Sequence, residues 1–259
     1  MLPVMEGVIA RRILLNWWVE PDVAARLIPA PFEPALVNGF AVAGICLLRL
    51  EQLRPAGMPA ALGITTESYA HRIAVRYPAG PSSADGGLRI NDGWRDGVYI
   101  WRRDMDSFFT RLLGERLFPG VHGDAEFQVD EGEGARAMNV FSEEGGADVS
   151  FRALTEAQWS WSLLFPRFTD VCNFFERGSR GFSCRLDGQG LEGMEMPAVA
   201  GWQMSPLAVH DVRSAFFDHR ERFPRGSCGF DSAAIMRGIP HSWHELTEVP
   251  ELVAAAEVR

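Results

Sequence analysis

Between Ala125 and Leu154 three apolar runs, AEFQV, ARAMNVF and ADVSFRAL, are divided by DEGEG and SEEGG. Glycine and acidic punctuation of this kind marks tight turns, so the segment predicts an antiparallel meander. Trp159, Trp161, Leu163 and Phe165 then alternate with Gln158, Ser160 and Ser162, a period of two that extends the meander by a strand over Gln158 to Phe165. RGSRG (Arg177 to Gly181) and DGQG (Asp187 to Gly190) bracket further short strands. Upstream, Gly63 to Arg76 has the β-branched enrichment of a strand, and regular alternation puts Glu67, Tyr69, His71, Ile73 and Val75 on one face. Gly97 to Arg111 reads as a strand running into a helix, with Tyr99, Trp101 and Arg103 on one strand face and Arg102 on the other. Arg11 and Arg12 interrupt an apolar N-terminal strand, so one must face in and the other out.

Helix signals are fewer. Glu20-Pro21-Asp22 followed by Val23, Leu27 and Ile28 predicts a short helix with proline and acid in its first turn, stopped by Pro29. A second helix is expected from Asp104 or Asp106 to Leu117 and a third around Val209 to Phe223. The class is α+β, predominantly antiparallel β. No repeat, low-complexity linker or composition break divides residues 1–259, so one domain is expected.

Composition narrows the function classes. Hydrophobic residues make up 47% of the chain, with 17 phenylalanines and 8 tryptophans, ample for a core. The net charge of −9 repels a phosphate backbone and no arginine-dense run offsets it, which argues against nucleic acid. The first dozen residues carry their charges after the apolar stretch, the wrong order for a secretory signal, and no run of eighteen apolar residues offers a membrane span. A cytoplasmic protein with no membrane partner is expected. Cys46, Cys172, Cys184 and Cys228 are widely spaced, without the CxxC pairs of zinc or redox sites, and are expected to be reduced and buried. His241 and His244 are a close pair but lack the ligand count of a metal site. GxGxxG, GK[ST] and GxSxG are all absent, so neither cofactor nor metal is expected.

Candidate chemistry centres on Glu67, Tyr69 and His71, a carboxylate, a phenol and an imidazole in a row on an otherwise apolar face. Such a row can move protons inside a cavity, where burial shifts pKa values toward working pH. It can equally be structural, with Glu67 paired to an arginine. Arg103 beside Tyr99 and Trp101 could grip a carboxylate bidentately or pair with Asp104 and Asp106. His122, in the loop FPGVHGD, is a further candidate acid or base, and Phe216 to His219 could line a pocket or pack the core.

The order of these pieces resembles the acetoacetate-decarboxylase-like superfamily, within it the uncharacterised bacterial branch. The resemblance runs from Arg12-Ile-Leu-Leu-Asn16 through PDVAARLIPAPFEP, Thr66-Glu67-Ser68 and Arg103-Asp104 to Phe217-Asp218-His219. It implies a cone-shaped β barrel with a few flanking helices, with Arg12 as the active-site arginine and Glu67 as the active-site glutamate, meeting inside the barrel. The family's two lysines fall near Thr110 and Arg111. The chain contains no lysine at all, its 25 basic residues being arginines, so the family's Schiff-base chemistry does not transfer, because a guanidinium stays charged where an amine must be free. The expectation is a cofactor-independent enzyme of lyase or isomerase type acting on a small carbonyl or carboxylate compound. Glu67 or His71 would move the proton, Arg12 would hold the oxyanion, and Tyr69, Trp101, Arg103, Thr110, Arg111 and His122 would contact the substrate. The alternative is a barrel that binds a small molecule without turning it over, as sensor or carrier. Homo-oligomerisation stays open.

Overall fold

The computed structural model describes residues 4–79, 93–106, 118, 120–132, 134–143, 145–154, 158–197 and 203–252. Four long strands dominate: β1 (Met5–Val19), β4 (Phe40–Pro55), β5 (Ile64–Pro78) and β14 (Cys228–Glu245). With β6 (Trp94–Met105), β10 (Arg180–Cys184) and β11 (Leu191–Glu195) they pair in the order β6-β10-β11-β14-β1-β4-β5, and β5 pairs back onto β6. Seven strands therefore close into a ring, which leaves the barrel without a free edge. A second, antiparallel sheet made of β7 (His122–Glu131), β8 (Ala135–Ser142), β9 (Val149–Leu154) and β13 (Ala208–Ser214) continues from β6 through a short parallel pairing of Arg103–Met105 with His122–Asp124. The short strands β2 (Glu33–Pro34), β3 (Leu36–Val37) and β12 (Met204–Pro206) pair with β5, β4 and β14 respectively.

The two faces of each ring strand have different company. Ile13, Leu15, Ile45, Leu47, Tyr69, Ile73, Tyr99 and Phe182 point outward into one core with Met138, Val140 and Phe151 of the second sheet and with Phe216, Phe217 and Phe223. Each large apolar side chain buried there contributes roughly 1.5–3 kcal/mol. The inward set, Leu14, Val42, Cys46, Ala74 and Ala234, meets Val171 and Phe175 of helix α2 (Phe168–Arg177). A third cluster, Ile9, Leu50, Met105, Met236 and Trp243, packs around Phe118. From Arg11 to Trp17 both faces of β1 are buried, the expected result for a strand covered on two sides.

The meander over Ala125 to Leu154 and the strands beside RGSRG and DGQG appear as predicted, as does the short helix α1 (Pro21–Ala25). Two segments differ. Gln158 to Phe165 is no strand; it is a loop held by Asp231, whose carboxylate accepts bonds from the backbone of Leu163 and Leu164 and from the Ser162 hydroxyl at 2.6–3.1 Å. The alternation there does not track burial: Ser162, Leu164 and Phe165 are buried, and Trp161 is left 80% exposed. Val209 to Phe223 is not a helix either: β13 pairs with β9, and turns follow. The α2 helix went unpredicted although its signal is present, since Asp170 accepts from the Arg167 backbone at 3.1 Å and Phe168, Val171 and Phe175 recur at helical spacing. The helix expected up to Leu117 falls almost entirely outside the described residues.

Candidate functional site

A cavity of about 110 Å³ is bordered by side chains from all seven ring strands: Arg12 of β1, Cys46 and Leu48 of β4, Ser68 and Arg72 of β5, Ile100 and Arg103 of β6, Ser183 of β10, Met194 of β11 and Trp243 of β14. A space touched by every strand of a closed ring lies within the ring. Phe175 and Phe118 also line it. The space exists because the inner face carries small residues: Ser68, Ala70, Gly181 and Ser183 leave it unfilled. Gly44, opposite Arg72 in the β4–β5 register, is another. A Cβ on Gly44 would stand 2.2 Å from the Leu15 carbonyl oxygen and 3.3 Å from the Arg72 guanidinium, so the close approach of β1 requires glycine here and the missing side chain also leaves room for the guanidinium.

The cavity is electrostatically one-sided. Arg12, Arg72 and Arg103 line it, and among the described residues that do so there is no acidic side chain and no histidine. Arg72 is 4% exposed, gives Nη2 to the Asn16 side chain at 2.7 Å and lies over the Phe175 ring, while its Nε and Nη1 find no hydrogen-bond partner. Burial pushes its pKa down to about 10, and Arg103, over the Phe118 ring, is lowered likewise to about 10. Both stay cationic at neutral pH. Buried guanidinium without a counter-charge is costly. An anion entering this space removes that cost.

The row Glu67, Tyr69 and His71 does share one strand face, but it is the outer one. The expected meeting of Arg12 with Glu67 does not occur: Glu67 takes Arg11, at 2.5 Å, and Arg49, at 3.2 Å, while Arg11 also binds Glu131 of the second sheet at 2.7 Å. Adjacent residues of a strand face oppositely, so Arg11 joins the outer network and Arg12 the cavity. Burial pushes the Glu67 pKa up, and the Arg11 charge opposes it. The Tyr69 hydroxyl lies 2.7 Å from Asp104, which also accepts from Arg102 at 2.7 Å, and burial drives its pKa up. His71 is 1% exposed beside Phe216 and Phe217, neither ring nitrogen is hydrogen-bonded, and burial, with Arg102 and Arg222 nearby, lowers its pKa to about 3.

A β-bulge separates the other candidates. Arg102 opposes His71 and Ile100 opposes Arg72, which leaves Trp101 as the extra residue. Trp101 consequently packs outward on Phe216 and Arg222, and the changed parity turns Arg103 inward. The face predicted to unite Tyr99, Trp101 and Arg103 is thus split. His122 opens β7 with its ring against the Phe118 carbonyl and does not border the cavity. Thr110 and Arg111 lie outside the described residues. His241 and His244 fall on opposite faces of β14, and no cluster of three or more metal-ligating side chains occurs among the described residues. Sequence reasoning missed Arg72 and Cys46, although the alternation that grouped Glu67 with His71 groups Ser68, Ala70 and Arg72 equally well.

The buried, unbonded His71 has a pH consequence. Its folded pKa of about 3 lies below the ordinary 6.5, so between those values the unfolded chain binds more protons. The stability tied to neutral His71 is complete above about pH 6.5 and is lost as pH falls toward 3. His71→Phe is expected to flatten the acid limb of the urea-unfolding stability profile between pH 4 and 6.5 and to raise stability at pH 7 by about 1–2 kcal/mol, because two unsatisfied polar atoms disappear. An unchanged acid limb would show that His71 is not what responds to acid.

No family model matches the chain, and no curated protein matches it in sequence. Solved structures do resemble it. Acetoacetate decarboxylase from Legionella pneumophila shares 12% identity at a TM-score of 0.52 over 95% of this chain and 89% of that one. An acetoacetate decarboxylase-like enzyme from Sphingomonas wittichii RW1 shares 14% at 0.52, over 93% and 89%. The enduracididine biosynthesis enzyme MppR, with HEPES buffer bound, shares 10% at 0.52, over 93% and 85%. At such identities the likeness concerns the backbone, and it extends over nearly the whole chain: the ring of strands described above is the acetoacetate-decarboxylase-like fold.

Proposed function

We propose that this chain acts on a small oxo-carboxylate held inside its barrel, by cofactor-independent chemistry of the lyase or isomerase kind. Guanidinium groups bind the carboxylate and stabilise the negative charge that develops on the neighbouring oxygen. The observation that carries this reading is a cavity lined by three arginines and, among the described residues, by no acid, in a chain whose net charge is −9. About 110 Å³ limits the ligand to a small molecule no larger than benzene, which a protein cavity of about 150 Å³ holds. The fold neighbours handle compounds of this class: acetoacetate decarboxylases by name, and MppR in complex with a condensation product of pyruvate. With no lysine in the sequence, no side-chain imine can serve as electron sink, and the cation must act through its field. Four free cysteines suit the reducing cytoplasm, where we place the protein.

A binding-only barrel is the second reading. It is favoured by the lack of any carboxylate or imidazole among the described cavity residues, since proton transfer then falls to serine, thiol or water. Calorimetric titration with pyruvate and solvent-deuterium exchange at its methyl carbon separate the two. Binding with exchange faster than in buffer supports the enzyme; binding without exchange leaves a carrier. Absence of binding, with acetoacetate as well as pyruvate, removes both.

A further inference from the structure

The buried thiol of Cys46 stands among the cavity's cations. Cys46 is 5% exposed, lines the cavity and is in no disulfide. Strand register sets its surroundings. Cys46 lies opposite Leu14 on one side and Ala70 on the other, Arg12 is two residues from Leu14, Arg72 is two residues from Ala70, and Ala70 in turn opposes Arg103. On one face of a sheet such diagonal and next-strand positions converge, more so on the concave side of a narrow barrel. The sulfur is within electrostatic range of both the Arg72 and Arg103 guanidiniums. Independently of the thiol, Arg72 shows that the place is built for a ligand: it is 4% exposed, borders the cavity, and leaves Nε and Nη1 without a partner.

We propose that Cys46 is a nucleophile of the cavity, holding the bound oxo-carboxylate as a reversible thiohemiketal. The sulfur forms a bond to the carbonyl carbon, the carbonyl π pair moves onto oxygen beside a guanidinium, and that oxygen takes the proton the thiol gives up. Reversal restores both reactants, and no oxidant or cofactor enters. A chain that lacks amine side chains thereby keeps a covalent handle on a carbonyl, of a different element. The activation needed comes from placement: an anion fixed by guanidinium brings its electrophilic carbon to the thiol at high effective concentration.

This rests on the anion site proposed above, and the experiment reads the two separately. The intact protein is treated with iodoacetate or the neutral iodoacetamide, and alkylation of each cysteine is followed by peptide mass mapping. Cys46 is expected to prefer iodoacetate at least about tenfold over iodoacetamide, relative to Cys172, Cys184 and Cys228 as internal standards. Pyruvate should protect it, and Arg103→Met should abolish the preference. With [2-13C]pyruvate, a new sp3 carbon resonance should appear and be absent in Cys46→Ser, whose pyruvate affinity should fall while its fold is retained. If pyruvate binds but Cys46 shows no anion preference and no sp3 resonance appears, the thiol is packing and the anion site survives. If pyruvate neither binds nor protects, the anion site fails and the covalent proposal fails with it. Should Cys46→Ser prove unstable, the labelling and resonance of the unmodified protein decide alone.

Discussion

Glu67→Gln is expected to destabilise the fold by about 3 kcal/mol and to leave carboxylate binding in the barrel unchanged. Arg11 is 3% exposed and Glu67 12%, so the substitution strips a buried guanidinium of its closest counter-charge. Breaking buried pairs typically costs 3–5 kcal/mol, because the survivor stays desolvated. The lower end applies here, since Glu131 still reaches Arg11 at 2.7 Å. Urea unfolding at pH 7 reads the loss, and pyruvate titration of the folded variant reads the site. The outcome opposite in both measurements, full stability with lost binding, would put Glu67 back in the chemistry.

Arg103→Met should behave the other way round. Methionine replaces a half-buried cation by an apolar chain of similar length among Ile100, Met105, Phe118 and Met194, and exchanging buried charge for packed apolar atoms is often stabilising by about 1–4 kcal/mol, the lower end applying to a group that is partly exposed. Affinity for a small carboxylate should fall by roughly 30-fold or more, since one enclosed charge-assisted contact is worth about 2–5 kcal/mol. Gain of stability with loss of binding marks a residue kept for a ligand. Loss of stability with affinity unchanged would make Arg103 a structural residue instead.

The two variants together test how the barrel divides its labour. Outside, the Arg11–Glu131 pair joins the ring to the second sheet, with Glu67 and Arg49 extending the network on the ring and Arg136 on the second sheet. Inside, Arg12, Arg72 and Arg103 face a space bordered by no acid among the described residues. The neighbouring pair Arg11 and Arg12 supplies one member to each side.

Alternation along the chain by itself determined much of this. It grouped Glu67 with Tyr69 and His71, separated Arg11 from Arg12, and marked the meander and the strands beside its glycine turns, because side chains of a strand must point alternately to two faces. The absence of lysine removed a lysine-borne imine from the expected chemistry before any coordinate was known. Which face encloses the cavity was not in that pattern. Both faces of β1 and β5 are buried, and where burial is two-sided, hydrophobicity cannot tell the inside of a ring from an interface with a second sheet. Ring closure through the β5–β6 and β6–β10 pairings decided that, and the bulge at Trp101 decided that Arg103 faces inward. Closure and bulges arise from contacts between residues far apart in sequence, which local periodicity does not record.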